Sequence, residues 1–507
     1  MDFLKRFKKE IFLFLSISAL YFLIRLPLLS NLPMFTDEAI YLRWAQIALH
    51  DSSWRFISLT DGKQPLFVWV VMVFMKFIQD PLVAGRIVSV ISGFFTLWGL
   101  WLLSYELFKN KRVSLFTLLI YIFYPFAFVY DRMALMDGMV GTFTVWSLYF
   151  SVLLIRRSRL DIAYTLGIIT GLGTLTKSTN FFSIYLLPFT LVLFNFREKP
   201  LLKRLGKWVL LAGFSAGISY GMYNVLRLSP LYEMISAKNA TFIYPVSEWI
   251  HHPFAMFLGN LNGLITWWFQ YSTVSYLILL AVSLIFLNKF FKEKLILLLY
   301  FVLPFIALAL FGKVLFPRYI FFMSLSLLPL MAWALDFMVL NIEKYLSFRR
   351  SNIILPLVLL VVFLSLPGFV SYKFMMDPAN APVADSDRGQ YSNGSAAGWG
   401  VKESVSFFRQ QAEKGKIYVA TEGTFGLMPE AMEMYFFQNK NVTVKGFWPI
   451  NSFPKEVEDA SKKMPTYFIF YQPQHRVIPS DFPLKLLFQV KQGNTNFYYR
   501  VYQVLPK

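Results

Sequence analysis

Apolar stretches about twenty residues long recur along this chain, and the segments between them alternate between short, strongly basic ones and longer ones with few cations. That length is what a helix needs to cross a bilayer, and in lipid each spanning element must satisfy its own backbone hydrogen bonds. The pattern predicts a polytopic α-helical membrane protein. The stretches fall at about 11–29, 82–107, 113–130, 138–155, 162–196, 208–226, 273–288, 295–312, 319–340 and 353–372. The run at 162–196 is interrupted by Thr176, Lys177, Ser178, Thr179 and Asn180, so it reads as a hairpin of two short spans, for about eleven in all. The first stretch follows a basic amino terminus but lacks a small-residue cleavage site, and is read as a retained span.

Only 15% of the residues are charged, against about 25% in soluble domains, yet the formal net charge is +20. Where the charge sits decides what it means. Six short segments, 1–10, 109–112, 156–161, 197–207, 289–294 and 343–350, hold 21 basic and 6 acidic residues. This is the asymmetry of cytoplasmic loops, so no nucleic-acid partner is expected and the bilayer is. The amino terminus then lies inside, and the tail 375–507, with 15 basic and 12 acidic residues, lies outside the cytoplasmic membrane. The expected division is a transmembrane domain, 1–374, followed by an extracytoplasmic domain, 375–507. Cysteine is absent, which excludes disulfides, a thiolate nucleophile and Cys-ligated metal.

Two outer loops are long, 30–81 and 227–272. Within the first, 39–49 and 66–78 are apolar but short and suit helices lying in the membrane interface. The tail reads as a small α/β domain, with helices at 401–412 and 429–439 and strands at 416–421, 442–447, 467–471, 484–490 and 497–505.

Charges near apolar spans are costly and need a reason. Asp37 and Glu38 follow the first span, flanked by Phe35 and Tyr41. A carboxylate there suits a general base for an alcohol or amine acceptor, with Tyr41 beside the substrate; the alternative is helix capping by Thr36 or Asp37. Asp131, Arg132 and Asp137 form a second acidic site at a hairpin tip, where both carboxylates are expected to face the same outer vestibule as Asp37; the alternative is a surface ion pair. Lys63, Arg86, Lys177 and Arg318 share that side, and Lys and Arg pair well with phosphate oxygens; the alternative for Arg86 and Lys177 is snorkelling to lipid headgroups. The set predicts binding of a lipid-linked phosphate. No Walker loop is present. His251-His252 reads as an interfacial pair, Trp267-Trp268 as an aromatic belt, and Asn239, Asn393 and Asn441 as sequons.

Taken in order, the Asp37-Glu38 motif, Lys63-Gln64-Pro65, the hairpin from Arg132 to Gly138, Leu175-Thr176-Lys177-Ser178 and Arg318-Tyr319 resemble the integral-membrane glycosyltransferases of the GT-C class. The resemblance is strongest to the dolichyl-phosphate-mannose protein mannosyltransferase and aminoarabinose-transferase group, and covers about residues 8–340. It implies transfer of a sugar from a polyprenyl-phosphate donor to a protein, lipid or glycan acceptor, with inversion and with no required cofactor, a divalent metal being optional. Carried over by motif, Asp37 is the acceptor-activating base, Glu38 its neighbour, Lys63 a donor-phosphate contact and Asp137 a second acidic site residue, while Lys177 and Arg318 line the donor pocket. Trp267-Trp268-Phe269-Gln270-Tyr271 lacks the Asp and Gly of the oligosaccharyltransferase signature, which argues against en bloc transfer to asparagine. The rival reading is a transporter or flippase for a lipid-linked anion, which would place charges in broken helices at the bilayer midplane.

Overall fold

In a computed structural model, residues 8–345, 354–471 and 477–506 are described. Lys5, Arg6, Arg349 and Arg350, four of the cations counted in the basic segments, lie outside the described residues. Among the described residues seven helices are long and apolar enough to cross a membrane: Pro81–Phe108, Met136–Arg157, Leu201–Leu228, Phe257–Ile285, Phe291–Phe311, Arg318–Tyr345 and Ile354–Met376. The other expected spans are helical but short, interrupted or charged at one end. The 11–29 stretch forms the Lys8–Arg25 helix, which begins on Lys8, Lys9 and Glu10. The 113–130 stretch divides into Lys111–Phe123 and Pro125–Tyr130. Pro125 has no N–H to donate and suits the first position of a new helix. The 162–196 run breaks at Lys177, whose backbone is extended (φ −163°, ψ 144°).

One boundary differs from the sequence reading. The helix expected at 273–288 already begins at Phe257 and runs to Ile285, kinked at Thr273 (φ 54°, ψ 158°). The second outer loop therefore ends near 256 rather than 272. Leu264 and Trp268 are buried along this added helical stretch.

Ion pairs tie the basic segments together at one end of the helices. Lys111 meets Glu10 at 3.3 Å, Arg112 pairs with Asp336 and lies 3.9 Å from Glu343, and Arg156 bridges Glu106 at 3.1 Å and Glu293 at 3.2 Å. Glu10, Lys111, Arg112, Arg156, Glu293 and Glu343, from five of the six basic segments, thus share that end.

The chain forms two compact units. The first, Met1–Pro27, Phe56–Phe67 and Arg86–Tyr372, contains most of the apolar helices. The second joins the tail, Lys373–Lys507, to Leu28–Arg55 and Val68–Gly85. Its five-stranded sheet has the order Val442–Phe447, Ile417–Glu422, Thr466–Phe470, Tyr498–Val504, Leu484–Lys491. The first three strands are parallel and the last two antiparallel. All six residues of Ile417–Glu422 are buried, as a strand covered on both faces requires. The expected helix at 429–439 shortens to Glu430–Tyr435, ahead of a left-handed Gln438. A helix that the sequence did not disclose, Lys455–Ser461, buries only Val457.

The Thr36–His50 helix corrects a second expectation. It does not present an apolar face to the membrane interface, because Ala39, Leu42, Ala45 and Ala48 are fully buried. Its outer side meets the Glu430–Tyr435 region, with Arg43 Nε 3.2 Å from Glu433 and Gln46 Nε2 donating to the Met434 carbonyl at 3.1 Å. Ahead of it, Met34–Phe35 pairs antiparallel with Ala397–Gly398.

Candidate functional site

In the helical unit, Leu59, Leu175, Leu226 and Ile235 form a small buried cluster that fixes the 3₁₀ turn Ile57–Asp61. Gly62 closes this turn in the left-handed region (φ 63°), and a Cβ there would run into the Met234 carbonyl and Lys238. The tight approach sets Lys63 beside the Met234–Phe242 helix. Lys63 Nζ lies 5.1 Å from the Phe242 ring centre and Lys238 Nζ 5.8 Å from it, while Lys238 pairs with Asp61. Phe242 meets the Tyr319 ring edge-on at 6.4 Å. Lys177 Nζ stands 4.7 Å from the Tyr319 ring centre and 2.6 Å from Asp137 Oδ1. Gln64 Nε2 donates to Ser178 Oγ at 2.6 Å. Lys63, Gln64, Lys177, Ser178, Lys238, Phe242 and Tyr319 line a cavity of about 340 Å³ whose wall also includes the apolar Phe182, Leu308, Phe311 and Leu315. Arg318, largely buried, adjoins it through Tyr319 and packs its guanidinium 4.9 Å from the Phe316 ring centre.

Asp137 occupies the first turn of the Met136–Arg157 helix, where free backbone amides favour a carboxylate. Its loop neighbour Asp131 goes elsewhere. Asp131 is fully buried, bound by Arg25 Nε at 3.0 Å, Tyr21 at 3.2 Å and Tyr121 at 3.0 Å. A Cβ on Gly93 would strike its carboxylate. Arg132 donates to the Arg25 carbonyl at 2.5 Å and lies 4.9 Å from the Phe128 ring centre. The expectation that Asp131 and Asp137 face one vestibule is therefore corrected: they sit in separate clusters, because Arg25 from the first helix draws Asp131 inward. Arg86 is also fully buried, and neither it nor the paired Lys177 reaches out to headgroups.

Asp37, Glu38 and Tyr41 belong to the second unit. Glu38, not Thr36 or Asp37, closes the helix start: its Oε2 accepts from the Phe35 N–H at 2.9 Å, and Phe35 is the cap residue. Asp37 in the same turn is half-buried. Tyr41 is buried, with its ring 5.7 Å from Trp44.

Residues 62–223 match the family described as dolichyl-phosphate-mannose-protein mannosyltransferase. ArnT from Cupriavidus metallidurans in the apo state superimposes with a TM-score of 0.55 at 14% identity, over 99% of this chain and 99% of that one. The same enzyme bound to undecaprenyl phosphate gives 0.53 at 14%, over 98% and 99%. The chain carries the GT-C fold. The Archaeoglobus fulgidus oligosaccharyltransferase tethered to an acceptor peptide also matches, with a TM-score of 0.52 at 12% identity over 93% of this chain and 70% of that one. No curated protein sequence matches.

On this GT-C fold the 62–223 match contains Lys63, Asp137 and Lys177, three of the groups gathered at the cavity. Lys238 and Asn239, which line it too, were not singled out as site residues from sequence. Lys238 falls in 227–272, expected as a long outer loop, and Asn239 begins a sequon. The signal that was available is Asp61, two residues before Lys63, which needed a cation. Among the described residues no group of three or more His, Asp or Glu side chains is placed to hold a metal ion. His252 lines a separate shallow cavity with Trp249 and Met256.

Proposed function

We propose that the protein transfers a sugar from a polyprenyl-phosphate donor to an acceptor on the extracytoplasmic face of the membrane. The observation that carries this reading is the lysine-ringed, otherwise apolar cavity. Lys63, Lys177 and Lys238 against Asp61 and Asp137 leave a positive surplus, and Arg318 adds to it. A sugar–phosphate–lipid diester is one negative charge joined to an apolar chain, which matches both walls. An ArnT structure on the same fold binds undecaprenyl phosphate, which supports a lipid-linked phosphate here.

In the proposed reaction Asp37, assigned by the motif resemblance, takes the proton of the acceptor nucleophile as that atom attacks the anomeric carbon. The bond from that carbon to the phosphate oxygen breaks, and the lipid phosphate leaves with the electron pair. One displacement inverts the anomeric centre. Lysines placed where charge gathers on the departing phosphate lower the barrier without a proton transfer.

Purified protein incubated with a panel of polyprenyl-phosphate sugars, followed by mass spectrometry, should show one lipid consumed and one acceptor gaining the sugar's mass. Asp37→Asn is expected to slow transfer by about 100-fold or more, the range of general-base contributions, with unchanged unfolding temperature and donor binding. Normal turnover in that variant would remove Asp37 from the chemistry.

A further inference from the structure

The strongest feature outside this site lies at the basic end of the bundle. A groove of about 590 Å³ runs between the Lys8–Arg25, Pro81–Phe108 and Lys111–Phe123 helices, within the size range of ligand pockets. Its apolar wall is aromatic: Phe14 packs 4.5 Å from Trp98, and Trp98 lies 6.2 Å from Trp101. Lys9, Lys111 and Arg112 line its charged part. Arg86 and Tyr105 stand 19 residues apart on one helix, so the groove is roughly 29 Å along that helix from Arg86, about the thickness of the hydrocarbon layer. It shares no lining residue with the cavity holding Lys63 and Lys177.

The carboxylates at this end are unequally committed. Asp336 and Glu343 are buried and serve Arg112, and Glu106 serves Lys109, Arg156 and Arg157. Glu10 is the carboxylate lining the groove, and its pair with Lys111 is open to solvent, with side-chain exposures of 55% and 68%. Such a pair contributes little, so a competing anion can displace Glu10 at small cost. Lys9 has no ion-pair partner among the described residues. Phe14 remains 42% exposed. A phosphate at Lys9 and Lys111 would stand directly above an aromatic wall that suits an acyl chain, the arrangement of basic grooves between transmembrane helices that hold anionic headgroups.

We propose that this groove binds an anionic phospholipid, with its phosphate on Lys9 and Lys111 and one acyl chain along Phe14, Trp98 and Trp101. The full-length protein, titrated with phosphatidylglycerol and read by native mass spectrometry, should retain one molecule tightly, while phosphatidylcholine should bind more weakly. Removing both lysines, Lys9→Ala with Lys111→Ala, should weaken retention roughly 25-fold, at about fivefold for each lysine near a lipid phosphate. The control pair Lys203→Ala with Lys207→Ala, exposed cations elsewhere, should leave it unchanged. Equal loss in the control pair would reduce the effect to general surface charge and overturn the site. So would unchanged retention in the Lys9/Lys111 variant, equal binding of phosphatidylcholine, or displacement of the lipid by inorganic phosphate at the same concentration.

Discussion

Asp131 and Asp137 lie six residues apart at one hairpin tip, and each holds a cation, yet their surroundings differ. Asp131 is sealed, with Arg25, Tyr21 and Tyr121 occupying its oxygens. Asp137 has Lys177 on one oxygen at the lining of an open cavity, and Lys177 keeps 19% of its side chain exposed. A fully partnered, dry carboxylate holds helices together. One that shares its lysine with an open cavity leaves charge available to a ligand.

The largest effect should come from breaking the sealed pair. Asp131→Ala leaves the Arg25 guanidinium buried without its carboxylate, and removing one partner of a buried pair costs about 3–5 kcal/mol. In detergent or nanodiscs the unfolding temperature should fall sharply, far more than for Asp137→Ala. Equal falls would erase the distinction between the two.

A third carboxylate sharpens the comparison from the other side, since its burial outweighs the pull of the Arg43 cation. Burial, with the Glu433 charge nearby, pushes Glu430 up to about 7 from its ordinary 4.5, although its Oε2 accepts from the Gly426 N–H at 3.0 Å. The folded state then holds a proton that the unfolded chain has released between those values. Stability of this unit should therefore fall as pH rises from about 4.5 to about 7 and level off above, by on the order of 3 kcal/mol. Glu430→Gln should flatten that slope and make the variant the more stable protein at pH 8, measured by thermal unfolding across pH. An unchanged slope would show that the carboxyl is ionised throughout.

The sequence was most legible where a single rule dominated. Apolar length located the helices, loop charge identified the end where the basic segments gather, and short β-branched and aromatic runs bounded by turn residues found all five strands of the tail sheet. It was least legible where a partner comes from far along the chain. Nothing near Asp131 announces Arg25, 106 residues away, and nothing in 39–49 announces that Ala39, Leu42, Ala45 and Ala48 will be buried in the same unit as the tail. Of the cavity, the motif order supplied Lys63, Lys177 and Asp137. Lys238 was missed because its pairing with Asp61 depends on the left-handed turn at Gly62.

The smallest of these effects on stability should be the most informative about function. Lys177→Ala removes the cation from Asp137, but the carboxylate left behind keeps the free amides of its helix start, so the unfolding temperature should move less than for Asp131→Ala. Ligand binding should move more. A charge-assisted hydrogen bond to phosphate contributes about 1.5–3 kcal/mol, so undecaprenyl phosphate, used as the probe, should bind about ten- to a hundredfold more weakly. Lys177→Arg keeps the charge and should recover part of that loss. If Lys177→Ala instead unfolds the protein as Asp131→Ala does while leaving lipid-phosphate affinity in the folded fraction intact, the Lys177–Asp137 pair is a second structural tie. The phosphate contact would then fall to Lys63, Lys238 and Arg318.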